Sequence, residues 1–146
     1  MPARFHEQEV TSGLKNRRKL SAYLDQLTQK HIKKLTATSL TYIFCSDDYL
    51  LQMNQQFLDH DTLTDIITFD LSEAPGTLTG ELYISTERVK ENAEKFGVPY
   101  QDELHRVIFH GALHLCGFKD KKKEDQALMR ENEDKCLAEY KNVLAA

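Results

Sequence analysis

Two short strand-like segments, joined by one loop and set among helical patterns, constrain the fold most. Residues 65–70 (DIITFD) and 80–85 (GELYIS) have the alternation and the β-branched or aromatic content typical of strands. The loop between them, 72–79, contains Pro75 and Gly76, which favour turns. Strands mixed with helices, two of them separated by a single loop, favour an α+β fold over a regular doubly wound sheet.

The rest of the chain alternates between further strand and helix patterns. Strand patterns also cover residues 36–45 and, at the edge of the sheet, residues 5–10. Helical spacing and capping residues predict helices from Gly13 to about Leu35, from Ser46 to Phe57, from Ser85 or Thr86 to Gly97, over 101–116 and over about 124–143. We therefore expect one domain over residues 1–146, with a mixed sheet of about four strands packed with helices and the 101–116 helix at its centre.

Length and composition exclude several classes of protein. The chain has 146 residues, of which 40% are hydrophobic, enough for one core without a disulfide or a structural metal. Residues 1–10 are charged and lack an apolar stretch, so we expect no signal peptide. No apolar run approaches the ~18 residues of a membrane span. Three cysteines without paired spacing are typical of reduced thiols, and we expect a cytoplasmic protein.

The net charge of −4 argues against a protein that binds polyanions over its whole surface. Two local basic runs are present, within residues 15–19 and 119–123. Runs of this kind are usually solvated helix faces or loops. The second run adjoins a histidine-rich segment, so phosphate binding stays open there.

The most informative residues are two histidines, His110 and His114, in the predicted 101–116 helix. Positions four apart lie about 40° apart around a helix, which is the spacing by which two imidazoles ligate one metal ion. Gly117 ends the helix and lets the chain reverse, so that Asp120 can return as a third ligand. Two imidazole nitrogens and one carboxylate suit one catalytic Zn²⁺, or a similar divalent ion, per chain.

The same pair of histidines also fits a purely structural role, with partly buried rings hydrogen-bonded to their neighbours. Gly111 occupies the place of the glutamate that serves as general base in His-Glu-x-x-His peptidases, so the pattern of that class is missing. Glycine lowers helix stability, and its presence here indicates that another element or a substrate approaches closely. The sequence shows no Ser-His-Asp elbow, P-loop or dinucleotide fingerprint.

Three stretches together resemble the YbeY endoribonuclease family. The family motif His-Gly-x-Leu-His-x-x-Gly-x-Asp-His is matched at His110, Gly111, Leu113, His114 and Gly117. The family's Leu-Asn-x-x-Tyr-Arg-x-x-Asp-x-Pro-Thr-Asp-Val-Leu-Ser-Phe resembles the stretch that contains Asn54, Phe57, Asp61 and residues 64–69. Its Gly-Asp-Ile-x-Ile-Ser resembles residues 80–85. The stretches occur in the family's order and cover about residues 38–120.

This resemblance implies a metal-dependent endoribonuclease, specific for single strands, that matures small-subunit ribosomal RNA in ribosome biogenesis. It implies single-stranded and ribosomal RNA as partners, with the ribosome or small-subunit proteins as further ones and no membrane. In the mechanism we expect, a metal held by His110, His114 and Asp120 polarises a phosphodiester oxygen and supplies hydroxide. Lys119, together with Lys121, binds backbone phosphate. Asp65 orients a ligand histidine by a hydrogen bond.

Three positions in two of the motifs depart from the family pattern. The family's third histidine falls at Asp120 and its preceding aspartate at Lys119, and a carboxylate is still an acceptable ligand. The family's arginine, implicated in RNA cleavage, falls at Leu58, which cannot pair with phosphate and is otherwise an apolar residue packed at a helix end. Either another cation, such as Lys119, Lys121 or Arg88, replaces it, or the nuclease activity is weak or absent.

Two other functions stay open at this point. A ribosome-assembly factor with a structural metal site would associate with the ribosome without turnover, and the missing arginine favours it. A hydrolase of small phosphoesters or amides is compatible with the acidic net charge.

Overall fold

The computed structural model describes residues 1–58 and 64–146, in which four strands form one mixed sheet and five helices surround it. The elements are β1 (Ala3–Glu7), α1 (Arg17–His31), β2 (Ala37–Cys45), α2 (Asp47–Leu58), β3 (Ile66–Asp70), β4 (Thr77–Ser85), α3 (Thr86–Phe96), α4 (Tyr100–Leu115) and α5 (Lys123–Ala145). The strand order is β1-β2-β4-β3; β1, β2 and β4 are parallel, and β3 is antiparallel to β4. The predicted α+β fold with a mixed four-stranded sheet is confirmed.

The predicted elements are present, and the differences lie at their ends. The first strand begins at Ala3 rather than at Phe5 and ends at Glu7 rather than at Val10, because its pairing with β2 covers only those residues. The first helix begins at Arg17 instead of directly after Gly13, since Asn16 has the left-handed φ of 58° that interrupts a right-handed helix.

The start of β4 and the segment before β3 also differ from expectation. Thr77–Thr79, expected to be loop, is strand, because these residues pair with the first residues of β2. The predicted polar turn over 58–64 lies largely outside the residues that the structure describes. Asp61, one of the residues that resemble the family motif, belongs to that segment.

The sheet carries a large core on one face and a small one on the other. Alternate residues of β2 and β4 belong to the large core: Leu40, Tyr42, Phe44, Leu78, Leu82 and Ile84. Helices α1, α4 and α5 complete it, and in α4 the side chains of Leu104, Ile108, Phe109, Ala112 and Leu113 are fully buried. The small core contains Cys45, Leu50 and Ile67. The predicted central helix is therefore α4, packed directly on the sheet.

Two glycines allow α4 to lie unusually close to the sheet. A Cβ atom on Gly111 would lie 2.5 Å from Leu82 Cδ2 and 2.7 Å from Ile66 Cδ1. A Cβ atom on Gly80 of β4 would lie 2.6 Å from Leu115 Cδ1. The prediction that something approaches Gly111 closely is confirmed, and the approaching element is the sheet. This contact sets the depth at which α4 and its histidines sit over β3 and β4.

All three cysteines lie in the described ranges and are free thiols. Cys45 belongs to the small core and Cys136 to the large one. Burial raises the pKa of the Cys45 thiol to about 12 and that of Cys136 to about 11, so both are protonated at neutral pH. They act as small apolar side chains, and the expectation of reduced thiols agrees with their state.

None of the helices described for this chain is both long and apolar enough to cross a membrane.

We predict that Gly111→Ala destabilises the protein. Overpacking in a filled core costs about 1–3 kcal/mol, whereas alanine in place of glycine returns only about 1 kcal/mol of helix propensity. Equilibrium unfolding in urea should therefore show a net loss of up to about 2 kcal/mol in the free energy of unfolding. Ala127→Gly is the control: because Ala127 is exposed on α5, this change alters the free energy of unfolding only through the helix propensities of alanine and glycine. A Gly111→Ala protein more stable than wild type would show that the helix can move away from the sheet.

Candidate functional site

The end of α4 brings Asp120 back to His110. Gly117 has a φ of 105°, and its N–H donates to the carbonyl of His114 at 3.0 Å. The N–H of Phe118 donates to the carbonyl of Leu113 at 3.1 Å, which completes a Schellman-type helix end. The chain thereby reverses, and Asp120 Oδ2 lies 3.2 Å from His110 Nε2. The predicted return of Asp120 towards the first histidine is confirmed.

The His110 ring is held between two carboxylates. Its Nδ1 lies 2.7 Å from Glu133 Oε2, opposite the side that faces Asp120. The other oxygen of Glu133 accepts a hydrogen bond from Arg106 at 2.9 Å, and Arg106 also donates to Asp134 at 2.8 Å. Because Glu133 is buried, this chain of charged hydrogen bonds fixes the orientation of the His110 ring.

The protonation of His110 follows from these neighbours. Burial lowers the pKa of His110, but the hydrogen bond and charge of Glu133, with the charges of Asp65 and Asp120, outweigh it and raise the pKa above its ordinary value. A carboxylate only accepts hydrogen bonds, so Nδ1 carries a hydrogen. Once the ring is neutral, its Nε2 atom presents a lone pair.

His114 has the same arrangement at the exposed end of the helix. Its Nδ1 lies 3.2 Å from the carbonyl oxygen of Phe118, which also only accepts. The hydrogen of the neutral ring therefore belongs on Nδ1, and Nε2 carries the lone pair. The two histidines thus present the same nitrogen, one helical turn apart.

Two cavities adjoin at His110. The smaller, which we call the histidine cavity, has a volume of about 280 Å³ and is lined by Thr64, Asp65, Ile66, Thr68, His110, His114, Asp120 and Lys121. The larger, which we call the α3–α5 cavity, has a volume of about 430 Å³ and is lined by residues of α3, α4 and α5. Of the described residues, Asp65, His110 and Asp120 line both cavities.

Comparison with known proteins identifies the family of the chain. A family model described as Endoribonuclease YbeY matches residues 5–141. The chain belongs to the YbeY endoribonuclease family. A relative from Cytophaga hutchinsonii named Endoribonuclease YbeY is 46% identical over 134 residues, which are 92% of either chain. One of the same name from Flavobacterium psychrophilum is 56% identical over 98 residues, covering 67% of this chain and 69% of its own.

A solved structure has the same fold. The solution structure of a Thermotoga maritima protein superposes with a TM-score of 0.59 at 28% sequence identity, covering 94% of this chain and 88% of its own. The resemblance therefore extends beyond the three motifs to nearly the whole chain.

The donor chemistry of the histidine cavity fits the divalent metal that the family motif implies. Two neutral imidazole nitrogens and one carboxylate form the kind of ligand set that catalytic zinc sites use. Each ring is held at Nδ1 by an outer acceptor, which is typical of metal-bound histidines. In the described ranges no three His, Cys, Asp or Glu side chains are already grouped to hold an ion. Asp120 pairs instead with His110 Nε2, so metal binding would require that pair to open.

The hydrogen bond that orients His110 comes from Glu133, not from Asp65 as predicted. Asp65 lies beside both cavities, where burial raises its pKa and the charge of His110 partly opposes this rise. It therefore acts on His110 through charge, while Glu133 makes the contact with Nδ1. The sequence did not predict this role of Glu133, because Glu133 belongs to α5 and only the packing of α5 on α4 brings it to His110. One signal was available: it interrupts an otherwise uncharged buried stripe of Met129, Cys136 and Tyr140.

The cations proposed to replace the family's arginine lie in different places. Lys121 lines the histidine cavity, whereas Lys119 is exposed and is not among the described residues that line either cavity. Arg88 is bound to Asp47 at 2.9 Å, so its charge is already partnered. Leu58 is the last residue of α2 and is 39% exposed, so it is less tightly packed than an apolar helix end was expected to be.

We predict that Glu133→Gln lowers the pKa of His110 in the metal-free protein. Glutamine can still accept the hydrogen bond, but the negative charge that favours the imidazolium is lost. Titration of the histidine ring signals by NMR, with a chelator present, measures the change. Asp134→Asn is the matched control, because Asp134 contacts Arg106 but not His110. An unchanged His110 pKa in Glu133→Gln would contradict the contact as we describe it.

Proposed function

We propose that this protein is a metal-dependent endoribonuclease that cleaves single-stranded RNA in the cytoplasm during the maturation of ribosomal RNA. The names of its relatives support the endoribonuclease activity. The observation that most supports metal-dependent phosphodiester chemistry is the histidine cavity, where His110, His114, Asp120 and Lys121 line one concave surface. Small-subunit ribosomal RNA is the substrate we infer from the family motifs, with the ribosome as the setting.

The ligands of the metal would be His110, His114 and Asp120. A divalent ion in such a site polarises a phosphodiester oxygen and lowers the pKa of water. Glu133 contributes by keeping the Nδ1 hydrogen of His110 in place, which leaves Nε2 as the ligand atom. Since the raised pKa of His110 favours the imidazolium, the ligand form becomes available as pH rises through that pKa.

Substrate phosphate would be bound by the other residues of the histidine cavity. Lys121 supplies a flexible positive charge, and the hydroxyl group of Thr68 supplies a hydrogen-bond donor, whereas that of Thr64 already donates to the carbonyl of Ile66 at 3.4 Å. The bases that flank a phosphate in this recessed position must leave a helical stack. This requirement favours single-stranded RNA over duplex.

The first test is the metal content of purified variants. Wild type should carry about one transition-metal ion per chain, and His114→Ala should lose it, because one of two imidazole ligands is gone. His6→Ala is the matched control, since His6 is exposed on β1. Equal metal content in wild type and His114→Ala would refute this ligand assignment.

The third ligand is tested by metal affinity. We expect Asp120→Ala to weaken binding by at least the 10–100-fold typical of lost outer contacts, whereas Asp120→His restores the family's histidine and keeps or raises affinity. Competition with a chelating dye measures both variants. An Asp120→Ala protein that binds metal as tightly as wild type would place the third ligand elsewhere.

The last test concerns the cations. A well-placed positive charge at a phosphodiester transition state contributes roughly 10²–10³-fold in rate. We therefore expect Lys121→Ala to slow the cleavage of a labelled single-stranded RNA at fixed ionic strength, and Leu58→Arg to accelerate it. Lys119→Ala should have the smaller effect of the two lysine variants, because only Lys121 lines the histidine cavity.

The replacement of the family's arginine by Leu58 supports a second candidate, a ribosome-assembly factor whose metal is structural. This candidate predicts binding to ribosomal particles without RNA turnover. The assembly factor is favoured if neither wild type nor Leu58→Arg cleaves RNA in a metal-dependent way. Cleavage that stops on chelation and returns with added Zn²⁺ would exclude it.

A further inference from the structure

Most of the residues that line the α3–α5 cavity are not part of the histidine cavity. The α3–α5 cavity has a volume of about 430 Å³, which lies within the range of pockets that hold small organic ligands. It adjoins the histidine cavity through Asp65, His110 and Asp120. A group bound in it would therefore be the immediate neighbour of a phosphate bound beside His114.

Glu103 is the most unusual residue in this cavity. It is only 5% exposed, and among the residues described its carboxylate makes no hydrogen bond and no ion pair. Burial raises its pKa; the charge of Asp65 adds to this rise, and that of Arg106 opposes it. Its oxygens are not among the fully buried, unpartnered side-chain atoms of the described residues, so they are open to the cavity and can accept hydrogen bonds from a ligand that brings N–H donors.

The other walls suit a flat, partly polar ligand. Phe96, at the end of α3, is 54% exposed and lines the cavity with Val107 and Met129. Exposed aromatic rings in RNA-binding sites stack on single-stranded bases. Asn92 lines the same cavity and offers an amide with both donor and acceptor atoms.

We propose, on the basis of the endoribonuclease function proposed above, that the α3–α5 cavity binds the base of a nucleotide next to the scissile phosphate and that Glu103 selects guanine. A carboxylate has only acceptors, and guanine presents two adjacent N–H groups on its pairing edge. Uracil presents a single N–H between two carbonyl oxygens, which a carboxylate repels. In adenine and cytosine the amino group stands beside an unprotonated ring nitrogen. Guanine alone can satisfy both oxygens of Glu103.

The charged residues that line the cavity are of both signs. Two arginines and four carboxylates are among them: Arg106, Arg130, Asp65, Glu103, Asp120 and Glu133. This mixture suits a ligand that has both donors and acceptors. The base of a nucleotide is such a ligand, and its phosphate is attracted by Arg130.

The test is equilibrium binding of 5′-GMP, 5′-AMP, 5′-CMP and 5′-UMP to the full chain, measured by calorimetry at one ionic strength. We expect GMP to bind at least about tenfold more tightly than UMP, as a paired set of hydrogen bonds to one base edge does. Glu103→Gln, which is nearly isosteric, should abolish this preference. Phe96→Leu should weaken all four nucleotides alike, because stacking does not depend on the base. Glu94→Gln, an exposed change on α3 outside the cavity, is the matched control.

The outcomes separate this inference from the proposed function. Equal binding of the four nucleotides by wild type, or a guanine preference that survives in Glu103→Gln, overturns the role of Glu103 whether or not the protein cleaves RNA. A guanine preference in a protein without nuclease activity supports the pocket and refutes the enzyme. If Glu103→Gln does not fold, the ratio of GMP to UMP affinity in wild type decides: a ratio of at least about ten supports the guanine pocket, and a ratio near one overturns it.

Discussion

The close contact between α4 and the sheet is the constraint on which the site depends. At Gly111 and Gly80 even one added carbon atom would overlap a core side chain. The helix therefore has little freedom to rise or to rotate, and its position is further fixed by the hydroxyl of Tyr42, which donates to the carbonyl of Ile108 at 2.9 Å. His110 adjoins Gly111 in the chain, so its height above β3 is set by this packing and by the hydrogen bond from Tyr42.

Buried charge joins the site to the rest of the fold. Glu133 would be expensive to bury alone, but Arg106 and His110 hold both of its oxygens. The same contacts tie α5 to α4 and determine which nitrogen of His110 faces the cavity. Removing the Glu133 carboxylate would leave Arg106 paired with Asp134 but would take away the contact of α5 with His110, so the orientation of the ring depends on the docking of α5.

The sequence was sufficient for the features encoded within a single element or a short turn. The spacing of His110 and His114, the reversal at Gly117 and the tight approach at Gly111 all follow from local rules, and the structure contains each of them. Glu133 and Glu103 could not be assigned in this way. A glutamate in a helix is ordinarily a solvent-facing residue, and only the packing of three helices around one cavity gives these two carboxylates their neighbours. The extension of β4 to Thr77 has the same origin, since its partner lies in a distant strand.

The parallel pairing of β1 with β2 has a consequence for the order in which the chain can fold as it is synthesised. Ala3 pairs with Leu40, and β2 in turn pairs with β4, where Leu40 meets Gly80. β1 is synthesised first and therefore cannot pair until α1 and β2 have been synthesised. One edge of β2 then has no hydrogen-bonding partner until β4 has been synthesised as well. Contacts so distant in sequence form slowly. The nascent chain thus exposes an unpaired strand edge until more than half of it has been made, and this interval is when it is most open to aggregation or to capture by a chaperone.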